Sequence, residues 1–259
     1  MGKFGKLPPY SLLHYGFYRL ENNEAKKCSY FELKKDFIKI KCLPNDVQSE
    51  KFADRKVKTH YKVICVLPLT PQNIIDMYHS KGPGNIRDIT TCAYSYALHE
   101  LDIQQGQKYL VFDAAKGLLI HGVLQRRAHC KALYHLRSST SALERLYKTS
   151  PFFSKGYYEM GKFDGKYHGI LICSEFNPID ILQWTENNLY SSSRIVVVDS
   201  NRTVLQQVHR KLRESNCYVD VDYVESCSRK MQVEKGRFHP EMSVHVPSIG
   251  IVTATLVCP

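Results

Sequence analysis

The twenty residues from Lys108 to Arg127, KYLVFDAAKGLLIHGVLQRR, constrain the fold of this 259-residue chain more than any other stretch. Tyr109, Leu110, Val111 and Phe112 form a short unbroken apolar run, as a strand requires when both its faces are covered. Asp113 closes the run, Ala114 to Gly117 leaves room only for a tight turn, and Leu118, Leu119, Val123 and Leu124 then recur at helical spacing. A buried strand passing directly into a helix is the first unit of a doubly wound sheet, and nucleotide-type ligands lie at its turn. There the helix N-terminus offers N–H groups, and glycines let the backbone come close to the ligand. This turn, FDAAKG, holds one glycine, Gly117, and sets Lys116 where a small residue is needed.

The chain beyond it alternates strands and helices. Lys131–Leu136 (KALYHL) reads as a second strand and Ser141–Lys148 as a helix, while residues 150–166 suggest a third unit that is reduced or irregular. His168–Cys173 is a buried strand, Asn177-Pro178 starts a helix reaching about Leu189, and Ile195–Val198 is a strand ending at Asp199. Val204, Leu205, Val208 and Leu212 stripe a helix that stops near Ser215-Asn216. Cys217–Val224 and Ile249–Val257 are the last strands. No helical period separates them, so they are expected to pair antiparallel. This order predicts an α/β chain with a class I methyltransferase-like doubly wound sheet. Before it, Ile86, Ile89, Ala93, Ala97 and Leu101 recur at helical spacing, and Thr70 with Pro71 starts an earlier helix that Lys81-Gly82-Pro83-Gly84 ends.

The N-terminal part is different in kind. Phe37–Leu43 and Val57–Val66 alternate apolar and basic residues, which suits a small β-rich, barrel-like domain with a lysine face. Residues 1–67 hold 12 Lys and 2 Arg against 7 acids, so +7 of the net +11 lies in about a quarter of the chain. Concentrated charge of this kind points to a polyanionic partner, although a solvated face carries lysine too. Three parts follow: a basic β-rich domain over 1–67, a helical linker over 68–85, and a methyltransferase-like domain with a degenerate cofactor turn over 86–259. No apolar run approaches a membrane span, and MGKFGK lacks a signal peptide's apolar core. The nine cysteines are scattered and never in C-x-x-C spacing, which reads as free thiols in a reducing compartment.

Candidate site residues separate into few. A cofactor of this fold needs glycines after strand one and a carboxylate ending strand two. Strand two ends Tyr134-His135-Leu136-Arg137, with no acid before Glu144. Asn177-Pro178 matches either a target-binding motif of amino-methyltransferases or a helix start, and the absence of an aromatic after the proline favours the helix start. His135, His168 and His209 lie inside expected elements, and no grouping has metal-ligand spacing. Tyr15, Phe17, Tyr18 and Tyr30 interleave with lysines and could stack on bases or fill a core.

Four segments carry a resemblance: GQKYLVFDAAKGLLIHGVLQR, SEFNPIDILQWTENNLYSSSRIVVV, VEKGRFHP and the final strand. On these the chain resembles the non-catalytic subunit of the eukaryotic tRNA (adenine-58-N1)-methyltransferase, most specifically over 86–259. The resemblance implies a nuclear heterotetramer with two chains of this type and two catalytic chains. The catalytic chains bind S-adenosylmethionine; this type binds none, has no catalytic residue and helps grip tRNA. It marks Arg237 and His239, in GRFHP, as RNA-binding, while SVHVPSIG replaces the glycine run the family carries before its last strand. Charge marks Lys34, Lys35, Lys39 and Lys41. The competing reading is an active S-adenosylmethionine-dependent RNA methyltransferase with an unusual cofactor loop; a nucleotide-binding protein of another kind is a third.

Overall fold

The structure is a computed structural model that describes residues 15–21, 24–29, 63–68, 70–134, 153–157, 163, 165–229, 231–234, 236–240, 242 and 247–257. They belong to two compact units, one of residues up to Asn73 with Val233–Phe238, the other of Ile74–Gln232 and His239 onward. In the first unit β1 (Gly16–Glu21), β2 (Glu24–Cys28) and β3 (Val63–Val66) form an antiparallel sheet in the order β2-β1-β3. The expected strand Phe37–Leu43 and the start of Val57–Val66 lie outside the described residues, as does any closure into a barrel. Thr70 precedes α1 (Pro71–Lys81), and its Oγ1 accepts the Asn73 N–H at 3.3 Å, the cap that the Thr-Pro pair predicts.

The second unit is a seven-stranded mixed sheet. Its strands are β4 (Lys108–Asp113), β5 (His129–Tyr134), β6 (Phe153–Tyr157), β7 (Tyr167–Cys173), β8 (Leu189–Asp199), β9 (Tyr218–Cys227) and β12 (Ser248–Leu256). They lie in the order β6-β5-β4-β7-β8-β12-β9. The first five are parallel, and β12 runs antiparallel between β8 and β9. This is a class I methyltransferase-like fold. The antiparallel pairing of the last two long strands follows the sequence expectation, and in sequence they are separated by the two-stranded pair β10 (Met231–Glu234) and β11 (Arg237–Pro240).

Period-two alternation sends each strand's side chains into two cores. Tyr109, Val111, Leu171, Val196, Val198 and Ile251 enter the one covered by α2 (Thr91–Glu100) and α3 (Leu118–Gln125). Leu110, Phe112, Ile170, Ile172, Val197 and Val252 enter the one covered by α4 (Pro178–Thr185) and α5 (Arg202–Glu214). Burial on both faces is why these strands carry unbroken apolar runs. Arg194 fastens α2 to the sheet: its guanidinium donates to Glu100 O at 2.8 Å, Glu100 Oε2 at 2.7 Å and Thr255 Oγ1 at 2.7 Å.

Three boundaries differ from the sequence reading. Helix α2 starts at Thr91 rather than Ile86, because Thr90 caps it and a 3-10 turn, Pro83–Ile86, comes first. Helix α4 stops at Thr185 rather than about Leu189, and β8 begins at Leu189 rather than Ile195, running through the serines between them. Ser193 is tolerated there, buried, because its Oγ donates to Tyr167 O at 2.9 Å. Among the described residues of 150–166 stands the five-residue strand β6, and the expected helix Ser141–Lys148 lies outside the described residues.

Helices α2 and α3 meet at Gly122, where a Cβ would collide with Leu98 Cδ1 and lie 2.7 Å from the Tyr94 hydroxyl. That hydroxyl is buried without a hydrogen-bond partner among the described residues, and burial lifts its pKa to about 12. Replacing Tyr94 with Phe therefore leaves stability unchanged or raises it by up to about 1 kcal/mol at neutral pH, since an unpaired polar group is removed. The folded-state pKa lies above the unfolded value of about 10, so stability falls as pH rises between the two, where the unfolded chain has already released its proton. Urea unfolding of both proteins at neutral pH and at about pH 11 checks this: the variant loses that part of the alkaline decline.

Candidate functional site

The carboxyl ends of β4, β7 and β8 are where a sheet of this topology receives a ligand. At the end of β4 the chain turns through Lys116 (φ 59°) and Gly117 (φ 84°), both left-handed, and enters α3. The tight turn and the first turn of α3 aim backbone amides back at the end of β4. Asp113 is fully buried and takes them up. Its Oδ1 accepts the N–H groups of Ala115 at 2.7 Å and Gly117 at 3.2 Å, and its Oδ2 those of Leu119 at 2.9 Å and Ile120 at 3.1 Å. Burial raises the carboxyl's pKa above the ordinary aspartate value, while each amide pulls it back. The first turn of α3 is thus satisfied by the residue that ends the strand before it. An anionic group brought to this helix start meets a carboxylate, with none of these four amides free.

The neighbouring strand ends are closed as well. Ala114 N–H donates to Cys173 O at 2.7 Å, joining the turn to the end of β7. Arg87 reaches from the segment before α2 to Asp199 Oδ2 at 3.5 Å and Ser174 O at 3.4 Å, spanning the ends of β7 and β8. Its Nε is buried and finds no partner among the described residues. Asp199 also accepts the Asn201 N–H at 2.8 Å, ahead of the α5 cap. Cys173 lies among these charges. Burial pushes its thiol far up, Asp113 adds to the shift and Arg87 opposes it, so it stays protonated and is no nucleophile.

The sequence-derived residues distribute as follows. Asn177 Oδ1 accepts the Ile179 N–H at 3.1 Å and starts α4, which is the helix-start reading of Asn-Pro. Arg237 and His239 are exposed on β11, two residues apart and so on one side of the strand; His239 Nδ1 contacts Pro240 O at 3.0 Å. Lys34, Lys35, Lys39 and Lys41 lie outside the described residues, as does the stretch after Tyr134. Among the described residues no His/Cys/Asp/Glu group could hold a metal, and no helix is long and apolar enough to cross a membrane. Sequence reasoning missed Arg87 and the capping by Asp113. An acid closing a buried strand directly before a helix is the local signal for the second; the Arg87–Asp199 pair has none.

A profile of the Gcd10p family matches residues 48–219. The chain belongs to the Gcd10p family. This is the family of tRNA m1A58 methyltransferase subunits to which the four sequence segments pointed, and the chain is accordingly a subunit of that type of complex. Solved structures share the fold. A SAM-dependent O-methyltransferase from Thermotoga maritima is similar at TM-score 0.60 and 16% identity, over 77% of this chain and 75% of that one. The tRNA (m1A58) methyltransferase TrmI from Aquifex aeolicus is similar at TM-score 0.59 and 13% identity, over 77% and 79%. A precorrin-6y C5,15-methyltransferase from Geobacter metallireducens GS-15 follows at TM-score 0.52 and 13% identity, over 64% and 88%.

Proposed function

We propose that the chain is the non-catalytic, tRNA-binding subunit of a tRNA (adenine-58-N1)-methyltransferase complex, working with a homologous catalytic chain that binds S-adenosylmethionine. The observation that carries the reading is Asp113, whose carboxylate takes the four amides of the turn and first turn of α3 that an anionic cofactor group would use. Lys116 and a single glycine in that turn support it, because close backbone approach needs small residues. On these grounds the residues of the turn do not fit S-adenosylmethionine. Without a cofactor the chain acts by binding: it holds tRNA through its basic residues and docks on the catalytic chain, two of each in the assembly, in the nucleus. A stable docking of this kind buries over ~1,200 Å².

Calorimetry of the lone chain with S-adenosylmethionine tests this. No binding heat is expected, because two missing buried hydrogen bonds weaken a ligand by roughly 2–5 kcal/mol, some 30- to several thousand-fold. A dissociation constant in the low micromolar range overturns the non-catalytic reading and favours an active methyltransferase with an unusual cofactor loop.

A further inference from the structure

At the opposite end of the methyltransferase-like sheet, away from the carboxyl-end crevice, strand register assembles a basic rim. Lys108, the exposed first residue of β4, stands beside His129 of β5, and its N–H donates to His168 Nδ1 of β7 at 3.3 Å. Adjacent strands lie about 4.8 Å apart, so the three residues occupy a row of about 10 Å. Arg127 enters the row two residues before His129, and Lys166 two residues before His168; both are exposed. The turn 102–107 is locked beneath the row. Tyr109 Oη accepts the Gln104 N–H at 2.9 Å and donates to Asp102 O at 2.9 Å, while Gly106 N–H donates to Arg127 O at 3.2 Å.

Nearby acids leave the rim's charge standing. Glu100 is held by Arg194, and Asp102, whose carboxylate accepts Gln104 Nε2 at 2.8 Å, sets one negative charge against the three cations and leaves the rim net positive. Among the described residues no carboxylate forms an ion pair with Lys108, Arg127 or Lys166. An aromatic pair stands in the same place: the Tyr190 ring lies 4.7 Å from that of His168, and Tyr190 is 43% exposed. Three cations without an ion pair among the described residues, along strand ends leading to an exposed ring on the next strand, match the two demands of a nucleic-acid strand, phosphate neutralisation and a surface on which a base stacks.

We infer that this rim is an RNA-contacting surface: Lys108, Arg127 and Lys166 hold phosphates of the bound tRNA, and a nucleotide base stacks on Tyr190. The inference rests on the tRNA-binding reading and places part of that function on the methyltransferase-like unit, apart from the basic N-terminal residues. A purely electrostatic patch and a stacking platform leave different signatures. Removing cations lowers the slope of log affinity against log salt, and removing a ring weakens binding at unchanged slope.

The test titrates tRNA against the full chain in its complex over a range of KCl concentrations, with unfolding curves to establish that each variant is folded. A Lys108→Gln, Arg127→Gln, Lys166→Gln protein should lose roughly two to three units of salt slope and about ten- to a hundredfold in affinity. Tyr190→Ala should weaken binding roughly five- to a hundredfold with the slope kept, and Tyr190→Phe should restore it. A triple variant with wild-type slope, or Tyr190→Ala with wild-type affinity, overturns the inference. Loss of the catalytic chain instead of tRNA makes the rim a protein contact and overturns it also. In each of these outcomes the tRNA-binding reading survives, whereas a wild-type complex whose tRNA affinity owes nothing to this chain removes both.

Discussion

Asp113→Ala destabilises the chain by about 3–5 kcal/mol, among the largest losses expected from any single substitution in it. The carboxylate accepts four backbone N–H groups, and removing it leaves four buried donors without partners. Each unpaired buried donor costs about 1–3 kcal/mol; the loss is less than their sum because water can enter the space vacated. Asp113→Asn is the sharper variant. Its amide oxygen still satisfies one pair of donors, but the NH2 group is turned against the other pair, so it recovers at most half of the loss. Urea unfolding followed by far-UV circular dichroism measures both variants. An Asn variant as stable as wild type would mean that the four bonds contribute little, and the account of a self-satisfied helix start would fail. The carboxyl is a costly group in its own right, since burial raises its pKa; what holds the turn together is that the cost of burial is met by donors that would be worse alone.

The difference between what the sequence revealed and what it concealed follows the range of the forces involved. The run Tyr109–Phe112 announced a strand because burial on both faces forbids polar residues, and Thr70-Pro71 and Asn177-Pro178 announced helix starts because a cap is settled within three residues. The antiparallel end of the sheet was legible by elimination, there being no helical period in the sequence between the last two long strands. Ser193 lies outside the strand marked by the sequence because its place in β8 depends on the Tyr167 carbonyl that accepts its hydroxyl, 26 residues away. Arg87 was invisible for the same reason, its carboxylate partner lying 112 residues later. The rim was hidden in another way: Lys108, Arg127 and Lys166 are far apart in sequence, and only the parallel register of β4, β5 and β7 puts them at one edge. Turn composition alone suggested a site short of glycines; the structure adds that the turn's amides are taken up from within.

Changing Lys34, Lys35, Lys39 and Lys41 together to Ala should lower the salt slope of tRNA binding by roughly 3, because each phosphate contact releases about 0.7–0.9 of a counterion. The expectation comes from charge density: residues 1–67 carry +7 of the chain's +11. Sequence alternation puts Lys39 and Lys41 on one side of their expected strand, and Lys35 joins them if the strand begins early. Affinity at moderate salt should fall about a hundredfold, with little change in discrimination between RNA sequences, since phosphates carry no sequence information. In the assembled methyltransferase the loss should appear in KM for tRNA and leave kcat nearly intact, because phosphate contacts that do no chemistry hold substrate and transition state alike. The split between the two constants decides between mechanisms. A quadruple variant that binds tRNA normally yet turns over slowly would mean that this region shapes the catalytic chain's active site. One that keeps affinity, slope and kinetics would mean that the lysines are only a solvated face, and that the grip on tRNA lies elsewhere in the complex.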